Sequence, residues 1–316
     1  MIEQFRRELE AAGSVALVCH VSPDMDTLGS AAALRVLLEG MGKTAVVYAQ
    51  DEVPERFLFL DALHGVRLPD DAVYDLCVAV DVSDRQRMGE AVKVFDNANR
   101  TAMIDHHPTT VPFAPVYVIR PQAAATAQIV TELCGQYGWD IPQDAAMCLW
   151  AGMSTDSGNF SFDNVSGGTF RAAAVCVDAG AQPSAITEKL YRTSTEGHIR
   201  LLGRVLNGLE LTNEGRVALL RLTQRDLAQC RAAQEDGEGI INCALEIESV
   251  RAVAMLSERD GFIKCSLRAR APYDVARVAV KFGGGGHVRA AGCSFVGKTM
   301  EEAGAVISSA LADAVK

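Results

Sequence analysis

Histidine and aspartate residues cluster at the ends of apolar runs in the first half of the sequence. In the stretch VCHVSPDMDTLGS, His20, Asp24 and Asp26 lie within seven residues of one another, directly after an apolar run. Ionised carboxylates are costly to bury unless a partner compensates their charge. This stretch is therefore either a solvated loop or part of a cation site.

Similar groups follow other apolar runs. Asp81 follows DLCVAV, Asp105-His106-His107 follows TAMI, and Asp156 lies in a later helical region. A single Asp after a strand is usually a helix cap or a turn former. Repetition at several strand ends instead favours a metal-binding edge, because ligands in an open parallel sheet bind beyond the carboxyl ends of the strands.

The types of candidate ligand restrict the metal. Carboxylates and imidazoles without thiolates suit Mn²⁺, Mg²⁺ or Fe²⁺ better than a structural zinc site. Six to seven such groups are too many for one tetrahedral ion, whereas two ions that share a bridging carboxylate would use them. Ions about 3.5–4 Å apart suit the hydrolysis of phosphate esters, because they generate a nucleophile and screen the anionic substrate.

A parallel sheet would bring these groups together. Apolar runs typical of strands alternate with helix-period segments in the first part of the chain, which indicates an α/β fold with helices on both faces of the sheet. The predicted strands are Ser14–Cys19, Thr44–Ala49, Asp75–Val80 and Thr101–Ile104. The predicted helices are Leu28–Glu39, Ala123–Tyr137, Gln143–Gly152, Thr169–Ala179, Ser184–Tyr191 and Thr195–Leu211.

The pattern changes after residue 212. Strands are predicted at Val217–Leu222, Val250–Leu256 and Phe262–Leu267, and helices at Asp274–Phe282 and Met300–Ala314. We therefore predict a metal-binding domain over residues 1–190, a helical linker over 191–212, and a smaller mixed α/β domain over 213–316.

One glycine-rich run, FGGGGH at Phe282–His287, lies in this last region. Successive glycines let backbone N–H groups approach an anion, although such a run alone favours a flexible turn. Residues Asp260–Ala290 carry six positive and two negative side chains, a net +4 in a chain of net charge −10. Arg268 and Arg270 alternate on a predicted strand and share a face, which suits a terminal phosphate unless one forms a structural salt bridge. The predicted phosphate or nucleotide cradle comprises Arg268, Arg270, Gly284, Gly285, Gly286 and His287.

Taken in order, these motifs resemble those of the DHH phosphoesterases. H-x-x-x-D-x-D-x-x-G-S begins at His20, D-x-S-D at Asp81, DHH at Asp105 and TDSG at Thr155. GGGGH-x-x-A-A-G, which begins at Gly283, resembles the glycine motif of the DHH-associated substrate domain, and the preceding SLRAR resembles its arginine-bearing strand. By its length and its C-terminal motif, the chain most resembles the bacterial nano-RNase and 3′-phosphoadenosine-5′-phosphate phosphatase group.

The resemblance implies a role for each residue of the metal edge. It implies six metal ligands: His20 and Asp24 on one ion, Asp26, His106 and Asp156 on the other, and Asp81 as the bridge. Asp105 would orient its neighbour, and His107 would face the scissile phosphate. Mn²⁺ is the expected ion, with Mg²⁺ or Fe²⁺ as alternatives. Arg268, Arg270 and His287 would grip a terminal phosphate or base.

The resemblance also implies a hydrolase of short single-stranded RNA (nanoRNA), which yields 5′-mononucleotides, or of 3′-phosphoadenosine 5′-phosphate (pAp), which yields AMP. A dinucleotide or cyclic-dinucleotide phosphodiesterase is the alternative, and the metal motifs do not separate the two. A nucleotide-binding regulator without catalysis should have lost at least one ligand, whereas all the expected ligands are present.

Bulk composition limits the partners and the location. A net charge of −10 and a pI of about 5.1 argue against a partner such as long duplex nucleic acid. No stretch approaches the roughly 18 consecutive apolar residues of a membrane-spanning helix. Nine scattered cysteines and a charged N-terminal segment unlike a signal peptide predict a cytoplasmic protein. The resemblance leaves a homodimer open.

Overall fold

The computed structural model describes all residues from Met1 to Lys316. The residues form two compact units, Met1–Thr193 and Ser194–Lys316. Each unit has its own sheet and its own apolar cores, and each is described by itself.

The first unit is built on a six-stranded parallel sheet. Its strands are β1 (Ser14–Val18), β2 (Thr44–Tyr48), β3 (Val66–Arg67), β4 (Leu76–Val80), β5 (Thr101–Asp105) and β6 (Val116–Ile119). They pair in the order β3-β2-β1-β4-β5-β6. In β1, Val15 and Leu17 enter one buried cluster and Ala16 and Val18 enter another. Both faces of the sheet are therefore covered, as the continuous apolar runs predict.

Helices form these two covers. They are α1 (Ile2–Ala11), α2 (Met25–Gly40), α3 (Val92–Asn97), α4 (Thr126–Tyr137), α5 (Gln143–Asp156), α6 (Gly167–Asp178) and α7 (Pro183–Thr187). Single 3₁₀ segments lie at Glu55–Phe57, Asp61–Gly65 and Arg85–Ala91, and a π-helical turn at Glu188–Arg192. Helices α2, α4 and α5 contribute to the cluster of Val15, and α3 contributes to the opposite one. The predicted α/β fold is confirmed.

The strand order reverses between β1 and β4. Strands β2 and β3 lie on one side of this pair, and β5 and β6 lie on the other. The connections at such a switch point diverge and leave a crevice beyond the carboxyl ends of the strands. His20 follows β1 and Asp81 follows β4, so the topology places both residues at this crevice.

Two glycines let α5 lie directly against α2. A Cβ at Gly29 would lie 2.6 Å from the carbonyl oxygen of Cys148, and a Cβ at Gly152 would lie 3.0 Å from Oδ1 of Asp26. Larger residues would therefore push the two helices apart. Their close contact brings Asp156, the last residue of α5, next to the first turn of α2.

The second unit contains a mixed six-stranded sheet. Its strands are β7 (Glu210–Thr212), β8 (Val217–Leu222), β9 (Ala252–Arg259), β10 (Phe262–Ala269), β11 (Gly285–His287) and β12 (Ala290–Val296), in the order β11-β12-β10-β9-β8-β7. Strands β8 and β9 are parallel, and the other pairs are antiparallel. The helices are α8 (Glu196–Asn207), α9 (Gln224–Cys230), α10 (Ile240–Leu245), α11 (Ala276–Lys281) and α12 (Met300–Ala314), with a 3₁₀ turn at Glu235–Gly237. Helices α11 and α12 pack on one face, and α8, α9 and α10 pack on the other.

The segment predicted as a helical linker, 191–212, contains α8. Leu201 and Val205 of this helix are buried in the apolar cluster that α9 and α10 form with the second sheet. In this structure α8 is therefore an integral part of the second unit, and the division into units falls at Thr193. The helical pattern was correctly predicted, but its apolar face packs on the sheet that follows it.

All nine cysteines are free, and eight of them are buried. Burial raises the pKa of the Cys19 thiol to about 12, and buried thiols of this kind are poor nucleophiles. No helix in the structure is long and apolar enough to cross a bilayer.

Candidate active site

Side chains from three strand ends and two helices meet at the carboxyl edge of the parallel sheet. Three groups have potential ligand atoms within 4.8 Å of one another: His20, Asp24 and Asp81; Asp26, His106 and Asp156; and Asp81, His106 and His107. Asp81 belongs to two of these groups, one with His20 and one with His106. The structure thus brings together all six residues predicted as metal ligands.

The start of α2 holds two carboxylates in different ways. Asp24 caps the helix and accepts hydrogen bonds from two backbone N–H groups of its first turn, at 3.0 and 3.1 Å. Its Oδ2 lies 3.6 Å from Nε2 of His20. Asp26 is fully buried and accepts the backbone N–H groups of Thr126 at 2.6 Å and Ala127 at 2.9 Å, at the start of α4. Because the N-terminus of a helix carries a partial positive charge that stabilises a carboxylate, the start of α4 holds the Asp26 side chain in place.

Asp81 is held at the end of β4 in an unusual backbone conformation. Its φ of 60° lies in the left-handed region, which non-glycine residues rarely adopt outside strained or functional sites. Its backbone N–H donates to the carbonyl oxygen of Ile104 at 2.8 Å. Its Oδ1 accepts a hydrogen bond from the hydroxyl group of Thr126 at 2.8 Å. These contacts fix the side chain that lies between the two groups of candidate ligands.

Two histidines present Nε2 to the carboxylates. Nδ1 of His20 donates to the carbonyl oxygen of Val21 at 2.8 Å, and Nδ1 of His106 donates to that of Ala123 at 3.2 Å. A carbonyl oxygen only accepts hydrogen bonds, so Nδ1 carries the proton and Nε2 keeps its lone pair in the neutral ring. Nε2 of His106 is buried, lies 3.3–3.9 Å from three carboxylate oxygens and makes no hydrogen bond.

His107 is held differently from the other two histidines. Its Nδ1 donates to Oδ1 of Asp105 at 2.8 Å, and Asp105 also accepts a hydrogen bond from the hydroxyl group of Thr110. Asp105 is buried at the end of β5, whereas the His107 side chain remains 30% exposed. Asp105 thus orients the His107 ring and leaves Nε2 for another partner.

Burial and mutual repulsion keep protons on this cluster. Burial, reinforced by the charge of Asp156, raises the pKa of Asp26 to about 7. Burial and the charges of Asp26 and Asp24 raise the pKa of Asp81 well above its ordinary value. Burial opposes the charged form of His106, but the carboxylates of Asp156 and Asp26 outweigh it and raise the His106 pKa to about 9.

This donor set fits divalent cations. It combines four carboxylates and two imidazoles with no thiolate, which is the ligand chemistry of Mn²⁺, Mg²⁺ or Fe²⁺. Buried polar atoms in native proteins almost always have a partner, and a cation would supply one for Nε2 of His106. It would also compensate the charges that otherwise require protons.

Sequence reasoning missed Thr126, which bonds to two of the candidate ligands. Its hydroxyl donates to Asp81 and its N–H donates to Asp26, a residue 100 positions earlier in the chain. Nothing in the local pattern AAATAQ marks this threonine. Thr110 was also missed, although its position five residues after Asp105 was an available signal.

In the second unit, Arg268 lines a cavity of about 410 Å³ together with Lys264 and Ser266. Arg270, which was predicted to hold a phosphate together with Arg268, bonds to backbone carbonyl groups in the structure. Its guanidinium donates to the carbonyl oxygen of Leu245 at 2.7 and 3.1 Å and to that of Ile247 at 3.4 Å. These contacts use Nε and Nη2 of Arg270 and fasten the end of α10.

The glycine run forms an edge strand. Gly285–His287 pairs with β12, and a Cβ at Gly284 or Gly286 would lie 2.1 or 2.6 Å from a carbonyl oxygen of that strand. Gly286 also has a φ of 139°, which favours glycine. Packing of the hairpin therefore accounts for these two glycines. A Cβ at Gly285 would meet nothing within 4 Å, and His287 is exposed.

Two family models match the chain in sequence order. The model of the DHH family, N-terminal domain, matches residues 14–153, and the DHHA1 domain matches residues 228–313. The first match contains every residue of the cluster except Asp156, which lies three positions beyond it. The second contains Arg268 and the glycine hairpin.

Similar proteins match nearly the whole chain. The bifunctional oligoribonuclease and PAP phosphatase NrnA of Thermus thermophilus is 30% identical over 92% of this chain and 87% of its own length. The protein of the same name from Bacillus subtilis is 24% identical over 91% of each chain. A solved structure of an exopolyphosphatase-related protein from Bacteroides fragilis has a TM-score of 0.92 at 29% identity, over 99% of this chain and 95% of that one.

Proposed function

The chain belongs to the DHH family of metal-dependent phosphoesterases, and from this premise we propose that it hydrolyses short oligoribonucleotides to 5′-mononucleotides and pAp to AMP. The observation that carries the proposal is the cluster around Asp81, in which Nε2 of His106 is buried without a hydrogen-bond partner. The likeness to the Thermus thermophilus oligoribonuclease and PAP phosphatase supports the substrate class, because it extends over both units.

We assign the candidate ligands to two ions. The assignment is His20 and Asp24 to one ion, Asp26, His106 and Asp156 to the other, and Asp81 to both. It follows the observed groups of ligand atoms. Mn²⁺ is the proposed ion, with Mg²⁺ and Fe²⁺ as alternatives of similar ligand preference. Divalent ions at this position would supply an activated water and screen the charge of the phosphate.

His107 is proposed to act on the substrate. Asp105 holds its Nδ1, so Nε2 is the atom that would face the phosphate. As an imidazolium, the ring would donate a hydrogen bond to a phosphoryl oxygen and a proton to the leaving oxygen. The backbone N–H and the hydroxyl group of Thr126 donate hydrogen bonds to Asp26 and Asp81. Their role is to hold carboxylates that repel one another in place, and they take no part in the reaction itself.

The second unit is proposed to bind the substrate. Arg268 supplies a guanidinium for a phosphate, and Gly285 and His287 form an exposed edge beside β12. Arg270, Gly284 and Gly286 from the predicted cradle are assigned to packing instead. We place the activity in the cytoplasm, since nine free cysteines suit a reducing compartment.

The test is Mn²⁺-dependent hydrolysis of a length series: pAp, an RNA dimer, an RNA pentamer and an RNA of 24 residues. Fast turnover of the short substrates with little turnover of the longest one supports the proposal. Turnover of dimers alone would instead identify a dinucleotide phosphodiesterase. If none of these substrates were cleaved by protein with metal bound, the proposal would be wrong, and cyclic dinucleotides would be assayed next.

A further inference from the structure

One arginine, Arg87, lies beside the cluster of candidate metal ligands and is paired with no carboxylate. Its Nη2 lies 3.5 Å from Nδ1 of His20, and Nε2 of His20 lies 3.6 Å from Asp24 and 3.7 Å from Asp81. A single imidazole ring thus separates the guanidinium from these carboxylates. Because Nδ1 of His20 donates its proton to Val21, it does not accept a hydrogen bond from Arg87 as well. The N–H donors of the guanidinium therefore remain available to another group.

The backbone of Arg87 is fastened to the residues that follow β1. Its carbonyl oxygen accepts a hydrogen bond from the N–H group of Val21 at 2.7 Å. Met88 is fully buried, and a Cβ at Gly89, whose φ is 53°, would lie 2.7 Å from Cγ1 of Val21. This segment therefore packs closely against the loop that carries His20, while Arg87 itself is exposed. Such a support fixes the region that the guanidinium reaches, and that region adjoins the cluster.

The charges at this edge leave Arg87 without a counter-ion in the protein. The four carboxylates among the candidate ligands carry a total charge of −4, which the two proposed divalent ions would balance. Asp105, the remaining carboxylate of this edge, has a partner in His107. Bound metal ions repel a neighbouring guanidinium, whereas a phosphate that binds to those ions attracts it. The charge of Arg87 is therefore matched by the substrate and by no side chain.

We propose that Arg87 is a catalytic residue that donates hydrogen bonds to a non-bridging oxygen of the scissile phosphate, an inference that rests on the proposed hydrolysis of pAp and short RNA. The planar fork of a guanidinium matches the oxygens of a phosphate. Its positive charge stabilises the charge on these oxygens in the transition state.

The role of Arg87 in the hydrolysis is electrostatic. The oxygen of a water molecule forms a bond to phosphorus, the bond between phosphorus and the ester oxygen breaks, and the leaving oxygen takes up a proton. In pAp these steps convert the 3′-phosphate ester and water to AMP and inorganic phosphate. A guanidinium keeps its protons, so Arg87 stabilises charge and transfers no proton.

The first test is the kinetics of Arg87→Gln in the full chain with saturating Mn²⁺. Loss of one donor to the developing charge should lower the kcat for pAp by roughly a hundredfold, with little change in KM. Arg87→Lys keeps a positive charge and should recover about tenfold of this loss. Arg85→Gln is the matched control, because Arg85 lies in the same 3₁₀ segment and is bonded to Asp96 instead. Its kcat should match that of the unaltered chain.

The second test is calorimetric titration with Mn²⁺, which does not depend on activity. If Arg87 only supported the His20 ring, Arg87→Gln would weaken Mn²⁺ binding by about 10–100-fold. The proposed role predicts the opposite direction, because the substitution removes a cation that repels the metal ions. Arg87→Gln should therefore bind Mn²⁺ at least as tightly as the unaltered chain does.

The proposal is overturned if Arg87→Gln keeps the kcat of the unaltered chain, or if its activity is lost only because Mn²⁺ binds more weakly. Failure of the proposed function differs from both results, because the unaltered chain would then cleave neither pAp nor short RNA. In that case the same variants are compared on a cyclic dinucleotide and on bis(p-nitrophenyl) phosphate. Equal hydrolysis by Arg87→Gln and the unaltered chain would again refute the role of Arg87.

Discussion

The two units hold their polar groups under opposite conditions. At the carboxyl edge of the parallel sheet, buried carboxylates are fastened by donors from distant segments, as Asp26 is by α4. On the second sheet, Lys264 and Arg268 lie on a single strand, where Lys264 is exposed and Arg268 is half-buried. Buried carboxylates that repel one another need a fold that holds them together, whereas exposed cationic groups need no such support. Substitutions should therefore affect turnover in the first unit and affinity in the second.

Asp81→Ala should have the largest effect. It removes the carboxylate that lies between the two ligand groups, and turnover of pAp with Mn²⁺ should fall by roughly a thousandfold or more, since metal sites supply several kcal/mol of stabilisation. Removal of a buried carboxylate leaves the metal-free fold intact, which circular dichroism and thermal unfolding would check. Asp84→Ala is the control, because Asp84 caps a helical turn in the same loop and lies outside the cluster. Retained turnover in Asp81→Ala would refute the bridging role.

Thr126→Val should have the next largest effect. It removes the hydroxyl donor to Asp81 and keeps the backbone donor to Asp26. Loss of a group that orients a ligand lowers metal affinity by about 10–100-fold, and titration with Mn²⁺ would measure this. Thr131→Val in the same helix removes a hydroxyl that bonds to the carbonyl oxygen of Ala127, away from the cluster. Equal Mn²⁺ affinity in the two variants would show that Thr126 does not position Asp81.

Two neighbouring arginines sharpen the comparison within the second unit. Arg268→Ala should raise the KM for pAp roughly tenfold, because a charged hydrogen bond to the substrate is lost. Arg270→Ala should leave KM almost unchanged and should lower the free energy of unfolding by about 1–3 kcal/mol, because half-buried carbonyl groups lose their donor. Steady-state kinetics and denaturant unfolding measure the two effects. If Arg270→Ala instead raised the KM and left the stability unchanged, Arg270 would belong to the substrate site.

The glycine hairpin offers a second test of packing against binding. At Gly286 a Cβ would lie 2.6 Å from a carbonyl oxygen and the φ is 139°, so Gly286→Ala should destabilise the fold by about 1–3 kcal/mol. Gly285→Ala has space for its Cβ and should change the stability by about 0.5 kcal/mol or less. Thermal unfolding separates the two variants. Similar melting temperatures would contradict the packing role of Gly286.

The smallest expected effect is a pH dependence of the metal-free chain. The pKa of Asp26 is raised from its ordinary value to about 7, and that of His106 is raised to about 9. A raised pKa contributes stability that is present below the ordinary pKa and is lost as the pH rises through the raised value. Metal-free protein should therefore be less stable at pH 8 than at pH 6. Because Mn²⁺ replaces these protons, the increase in melting temperature on its addition should be larger at pH 8. An equal or smaller increase would contradict the raised pKa values.

The buried strands of the first unit could be predicted from the sequence. The predictions for β1, β2, β4 and β5 agree with the structure to within one residue, because a strand buried on both faces is a continuous apolar run. Strands β3 and β6 were missed, since each is a short, partly exposed edge strand. In the second unit, β12 was also missed, because it contains small residues and a glycine. It forms a strand because β10 and β11 pair with it.

The candidate site could be predicted as a set of side chains but not as an arrangement. The sequence by itself determined the chemistry of the carboxylates and imidazoles and their positions at strand ends, because local patterns encode both. Only the tertiary structure decided that β1 and β4 are neighbours, that Thr126 bonds to Asp81, and that Arg270 is occupied by carbonyl groups. Hydrogen bonds between segments far apart in the chain depend on how helices and strands pack, and no local pattern specifies that packing.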